Sequence, residues 1–131
     1  MGPDKQSQVP PMTRENVRLS IRVDLPKGRL GPGKAALLQA IAETGSISAA
    51  ARALGMSYAR AWSLTEDMNA LFGKPLVAAY SGGNRRGGAQ LTDSGVQVLS
   101  LYCGIAEEAE KQAARKLSAL AAVGKQRRRR K

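Results

Sequence analysis

Along the chain, apolar and polar positions change period in an order that lays out its elements. Val17, Leu19, Ile21, Val23 and Leu25 alternate with Arg18, Ser20, Arg22 and Asp24. A period of two predicts a half-buried strand over 17–25, which Pro26, Gly28, Gly31 and Gly33 end. The spacing then turns helical. Pro32 suits a helix start, Leu37, Leu38, Ile41 and Ala42 form an inner stripe, and Gly45 closes a helix over 32–44. Ser46 caps a short helix from Ile47 to Leu54, Gly55-Met56 makes a turn, and Ser57 caps a third helix reaching about Phe72. Ala61, Leu64, Met68 and Leu71 are its inner stripe. Leu76–Tyr80 and Ala89–Thr92 read as two strands around a glycine-rich loop, Ser81–Gly88. From Asp93 to about Val123, apolar residues at Val96, Leu99, Cys103, Ala106, Ala113, Leu117 and Leu120 predict one long helix, weakened at Gly104.

This order predicts a mainly α fold with a small β hairpin: a winged helix-turn-helix with an N-terminal strand and a long C-terminal dimerisation helix. The expected boundaries are a disordered segment over 1–15, the winged domain over 16–92, the long helix over 93–124 and a disordered basic tail over 125–131. A helix of residues 93–123 would be roughly 45 Å long, more than so small a domain covers. A second copy of the same helix is one cover for its apolar side; folding back on the N-terminal strand is the other.

Composition narrows the function. Apolar residues make up 43% of the 131, but aromatics only 4%, so the core is built from Ala, Leu, Val and Ile. The net charge is +11, which points to a polyanion as partner. Residues 1–31 and 32–92 each carry six basic and three acidic groups, 93–124 carry three and four, and the last seven residues carry six basic groups and no acid. More than half of the net charge therefore sits in the tail. There is no histidine and one cysteine, Cys103, which excludes an intrachain disulfide, histidine acid–base catalysis and Cys/His zinc sites. Cys103 lies in an apolar stretch and reads as a buried, inert thiol. No apolar run approaches the ~20 residues of a membrane span, and no apolar leader stands at the N-terminus. The expectation is a cytoplasmic, non-enzymatic protein with no cofactor, no metal and no membrane association.

The central motif is Ser46-Ile47-Ser48-Ala49-Ala50-Ala51-Arg52-Ala53-Leu54-Gly55-Met56-Ser57. A helix-turn-helix needs a small residue where its helices approach, here Ala50 and Ala51. It needs a residue tolerant of positive φ at the turn, here Gly55, and a capped second helix with one polar face. The hairpin after it carries Ser81-Gly82-Gly83-Asn84-Arg85-Arg86-Gly87-Gly88, whose glycines and paired cations suit a wing laid on a phosphate backbone or into a minor groove. A solvated turn is the plainer reading. Base-contact candidates are Ser57, Tyr58, Arg60 and Ser63 at the start of the third helix; Asn84, Arg85 and Arg86 are the DNA-binding candidates of the wing. Arg60 has the donors for a guanine edge or for a phosphate. Tyr58 has a phenol for phosphate and a ring for the wing. Trp62 reads as structural. Gly28–Lys34 fits G-x-x-x-x-G-K, but Ala35 stands where Ser or Thr would hold magnesium, and Pro32 removes a cradle N–H. A strand-to-helix turn is the better reading. Glu107, Glu108 and Glu110 lie with Lys111, Arg115 and Lys116 on one helix and read as a solvated charged face.

From Ala35 to Tyr102 the chain resembles the N-terminal DNA-binding domain of ModE, the molybdate-responsive bacterial regulator. The matching features are Ala36-Leu37-Leu38, Gly45-Ser46-Ile47-Ser48, Ser57-Tyr58 with Ala61-Trp62, Met68-Asn69, the paired glycines of the wing, and Leu91-Thr92 followed by Gly95. The helix-turn-helix alone is similar to that of LysR-type regulators as well. The resemblance implies a homodimeric regulator binding double-stranded DNA, dimerising partly through the N-terminal strand and the long helix. It places Ser57, Tyr58 and Arg60 at the start of the recognition helix and Asn84–Arg86 in the wing. No residue here corresponds to a molybdate ligand, which leaves room for a separate sensor protein. The alternative function is a non-specific architectural DNA-binding protein driven by its basic tail.

Overall fold

The computed structural model describes the backbone of residues 17–82 and 85–129 and the side chains of 17–80 and 88–124. The expected disordered segment over 1–15 lies outside it. Strands β1 (Val23–Leu25) and β2 (Gly28–Leu30) precede helices α1 (Pro32–Thr44), α2 (Ile47–Leu54) and α3 (Tyr58–Leu71). Strands β3 (Val77–Gly82) and β4 (Arg85–Leu91) follow, then helix α4 (Asp93–Arg129). The chain divides into two compact units, one of residues 20–104 and one of residues up to 19 together with 105 onward.

The three short helices begin and end where their caps dictate. Pro32 occupies the first turn of α1, and Gly45 ends it in the left-handed region at φ 76°, its N–H donating to Ile41 O. Leu37, Leu38 and Ile41 from α1, Ile47, Ala50 and Ala51 from α2, and Ala61 and Met68 from α3 form the main core with Leu76, Val77 and Ala89. Ala42 does not join them. It stands 100° round the helix from Ile41 and is exposed beside an open groove lined also by Gly45, Tyr80 and Val96.

The N-terminal strand is shorter than its alternation predicts. Residues 17–25 keep the alternation of half-buried and exposed positions, but only 23–25 form a strand. They pair antiparallel with β2, Val23 opposite Leu30 and Leu25 opposite Gly28. A strand exists only where a ladder partner exists, and β2 is three residues long. Gly28 therefore opens a strand instead of breaking one. The smaller core sits here: Leu30, Ala35, Leu71 and Tyr102, packed with Ile21, Val23, Leu25 and Val98. The Tyr102 hydroxyl donates to Ile21 O at 2.6 Å. Burial first, and the neighbouring Cys103 second, push the Tyr102 phenol above its ordinary 10.0.

Two expectations for the long helix are corrected. Cys103, expected to be buried, is exposed. The buried side of this part of α4 is set by Tyr102 with half-buried Val98 and Leu99, and Cys103 lies 100° beyond Tyr102. The helix also continues past Gly124 to Arg129, so residues 125–129 are helical, not disordered. Lys, Gln and Arg are good helix formers, and cations are favoured at a helix C-terminus by the dipole. In the second unit Leu117 and Ala121 are buried, Leu120 and Val123 are exposed, and Leu19 N donates to Glu110 Oε2 at 3.4 Å.

Candidate nucleic-acid interface

The turn between α2 and α3 is built by its caps. Ser46 Oγ accepts Ala49 N–H at 2.9 Å, which starts α2. Gly55 adopts φ 70°, and Met56 N–H donates to Ala51 O at 3.0 Å, which ends it. That left-handed residue reverses the chain within a step that a side chain would strain. Ser57 Oγ then accepts Arg60 N–H at 3.1 Å and starts α3. Ala50, Ala51 and Ala61 are buried to 2% exposure or less, so α2 and α3 approach closely. Thr65 is buried with them, its hydroxyl satisfied by Ala61 O at 2.8 Å.

Burial of Ala61, Thr65, Met68 and Leu71 fixes the inner side of α3. Ser57, Tyr58, Ala59, Arg60, Trp62, Ser63 and Glu66 are all exposed on the remainder. The structure thus brings four of the candidates together on one accessible helix start. Ser57 is committed as acceptor to the cap and keeps its O–H for another partner. The Arg60 guanidinium makes no hydrogen bond or ion pair among the described residues. Trp62, expected to be structural, is 41% exposed and stacks on Tyr58, 54% exposed, with ring centroids 6.3 Å apart. Its position was open to the sequence: a residue 100° from Ala61 lies off the inner stripe.

The wing is longer than its sequence suggests. Val77 pairs with Leu91, Ala79 with Ala89, Tyr80 with Gly88 and Gly82 with Arg85, with a register shift between Tyr80 and Gly82. Most of the expected loop over 81–88 is therefore strand. Asn84 lies outside the described residues, and Arg85 and Arg86 open β4 beside the hairpin's tip. Gly88 has a reason of its own. A Cβ there would meet the Tyr80 ring at 2.7–3.0 Å, so the glycine lets that ring lie across the strand.

The hairpin is tied to the helices by polar clamps that the sequence does not announce. Asn69 Oδ1 accepts the N–H groups of Leu76 at 2.8 Å and Val77 at 3.0 Å, and its Nδ2 donates to Val77 O at 3.3 Å. Ala89 N–H donates to Gly45 O at 2.9 Å. Thr92 caps α4 by accepting Gly95 N–H at 3.0 Å, donates its hydroxyl to Pro75 O at 2.8 Å, and donates its N–H to Leu76 O at 2.9 Å. The wing and α3 are thereby held as one frame. The phosphate-loop-like motif finds no cradle here: Gly28–Leu30 is strand, and Lys34 Nζ donates to Arg29 O at 2.9 Å.

Residues 34–96 match the family of bacterial regulatory helix-turn-helix proteins of the lysR type. Among curated relatives, the molybdenum-pterin-binding protein MopB of Rhodobacter capsulatus is 49% identical over 74 residues, covering 56% of this chain and 27% of the relative. The molybdenum transport protein ModE of Azotobacter vinelandii is 39% identical over 90 residues, covering 69% and 33%. The DNA-binding transcriptional dual regulator ModE of Escherichia coli (strain K12) is 42% identical over 71 residues, covering 54% and 27%. The chain thus spans between a quarter and a third of the length of these relatives. Among solved structures, the CbnR DNA-binding domain in its complex with DNA superposes with a TM-score of 0.54 at 25% identity, over 67% of this chain and 95% of that one.

Proposed function

We propose that this chain, which carries a ModE-like winged helix-turn-helix domain, is a transcriptional regulator that binds duplex DNA with the N-terminal part of α3 in the major groove and the β3–β4 hairpin against the backbone. The observation that carries the reading is α3 itself: capped at its start by Ser57, buried along one side, and exposed along the side holding Tyr58, Arg60 and Ser63. That surface stands beside a hairpin whose second strand opens with Arg85 and Arg86, on a chain of net charge +11. Its likeness to relatives named as regulators and to a domain solved on DNA supports the same reading.

The proposal includes homodimerisation through α4. Leu101, Ile105, Leu120 and Val123 on that helix are each between 47% and 62% exposed, large apolar surface that a second copy would cover. Among the described residues no helix is long and apolar enough to cross a membrane, and we place the protein in the cytoplasm with its DNA. A separate sensor protein is a compatible partner, since no molybdate site is assigned to these residues. The rival architectural reading rests on the tail, and deleting residues 125–131 separates the two. A regulator keeps its site preference without the tail; a coating protein loses nearly all binding.

The test is selection of bound sequences from random duplex DNA at ~150 mM salt, where phosphate-only binding is weak. An inverted repeat with half-sites about one helical turn apart is expected, and no enriched sequence would refute the regulator. Arg60→Ala is expected to relax preference at one base pair per half-site. Uniform weakening on every sequence would reassign Arg60 to a phosphate.

A further inference from the structure

The exposed side of α3 carries a stacked aromatic pair. Tyr58 and Trp62 stand one helical turn apart with ring centroids 6.3 Å apart and planes inclined by 21°. Both are substantially exposed, 54% and 41%. Their neighbours on the outward side, Ala59 and Ser63, are small and exposed, which leaves the indole open to a partner on that side. The stack restrains the indole before any partner arrives, which lowers the entropy it loses on binding.

We propose, resting on the DNA-binding reading above, that Trp62 is a specificity-determining residue that packs on the 5-methyl groups of thymines in the major groove, with Tyr58 positioning it. Phosphates and sugars are polar and are met by cations and hydrogen-bond donors. The apolar feature that a base edge offers in the major groove is the thymine methyl, and the exposed indole is the large apolar feature of this helix start. Ala59 and Ser63 allow the helix to come close enough for contact. Arg60 stands about 200° round the helix from Trp62, so the two address opposite sides of the groove and different base pairs. A protein partner for the same pair is disfavoured by charge: residues 32–92 carry six basic groups against three acidic ones.

The test uses the full chain and duplexes of the selected sequence in which each thymine in turn is replaced by deoxyuridine, which deletes only the methyl. Wild type is expected to lose about fourfold in affinity at one or two thymines per half-site, the worth of one buried methyl. Trp62→Ala is expected to bind thymine and uridine duplexes equally well, and Trp62→Phe to keep part of the difference. Trp62 is also the chain's only tryptophan. Its emission in the unmodified protein should therefore change on saturation with the thymine duplex and change less with uridine at the sensitive position. Indifference of wild type to every uridine, unchanged sensitivity in Trp62→Ala, or unchanged emission on saturation each overturns the proposal while leaving DNA binding intact. Failure of wild type to prefer any sequence overturns both.

Discussion

Gly95 and Gly104 lie in the same helix, and the same substitution at each should move stability in opposite directions. A Cβ on Gly95 would run into Leu76 O and stand 3.0 Å from Leu76 C. A carbon and an oxygen cannot share that space, and the oxygen belongs to backbone, which has no rotamer to escape into. It is also pinned, because Leu76 O accepts Thr92 N–H at 2.9 Å while Thr92 holds Pro75 O and Gly95 N–H. Gly95→Ala must therefore separate α4 from the entry to β3. Overpacking costs about 1–3 kcal/mol, and loss of one or two clamp hydrogen bonds adds about 0.5–1.5 kcal/mol each. A total of about 3–5 kcal/mol is a large share of the ~5–15 kcal/mol that holds a domain of this kind together. In urea, with a slope of about 2 kcal/mol per molar, that is a fall of about 2 M in midpoint at unchanged slope. At Gly104 a Cβ meets nothing within 4 Å, so Gly104→Ala should add up to ~1 kcal/mol by removing backbone freedom from the unfolded chain. Equilibrium urea unfolding of the two variants beside wild type decides it. If Gly95→Ala unfolds within about 0.5 kcal/mol of wild type, a tolerance typical of plain surface changes, the clamp described for Thr92 and Leu76 is wrong.

Two further outcomes follow from other clamps. Asn69→Ala strips partners from Leu76 N, Val77 N and Val77 O and is expected to cost about 2–4 kcal/mol, since each unmet buried group costs about 1–3 kcal/mol less whatever water recovers; Asn69→Asp keeps both accepted bonds and should lose distinctly less, by the same urea measurement. Tyr102→Phe removes the hydroxyl that Ile21 O accepts and should cost about 0.5–1.5 kcal/mol at neutral pH. Because the folded phenol titrates above the unfolded value of 10.0, its contribution is complete below that pH and fades as pH rises through and beyond it. The difference between wild type and Tyr102→Phe in thermal unfolding should therefore shrink from about pH 10 upward, and a difference that grows there would reverse the sign of the argument.

The helices were legible because their signals are local. Ser46, Ser57, Pro32, Gly45 and Gly55 each act on the few residues beside them, and α1, α2 and α3 begin and end within a residue of where those signals put them. The strands were less legible because a strand is defined by its partner. Alternation over 17–25 marks burial correctly, yet only the three residues facing β2 form a ladder. The glycine-rich stretch over 81–88 reads as loop because glycine disfavours strands, while the Tyr80 ring laid over Gly88 is a tertiary reason to keep one there. Cys103 was misplaced for a related cause. A long helix with apolar residues on several sides does not say which side its own domain covers. At the candidate interface, Ser57, Tyr58, Arg60 and Ser63 could be placed together on the exposed start of α3 because helix starts are readable. Trp62 was set aside because a large aromatic residue is more often core than surface.

The wing glycines and the helix caps also bear on what likeness to the regulators can mean. Of the residues that carry the resemblance, Leu37, Leu38, Ala61 and Met68 fill the core. Gly45, Ser46 and Ser57 set helix ends. Asn69, Thr92 and Gly95 bind the hairpin to the helices, and Gly88 seats Tyr80. These are reasons to build the same frame, and a frame fixes where a duplex would lie, not which sequence it would have. Tyr58 and Trp62 also carry the resemblance and have no such task. On the proposed reading, the choice of operator rests on them together with Arg60 and Ser63 and the wing residues Asn84–Arg86. Two chains sharing this frame are expected to prefer different sites wherever position 60 or 63 differs, while still sharing whatever thymine contacts the aromatic pair makes.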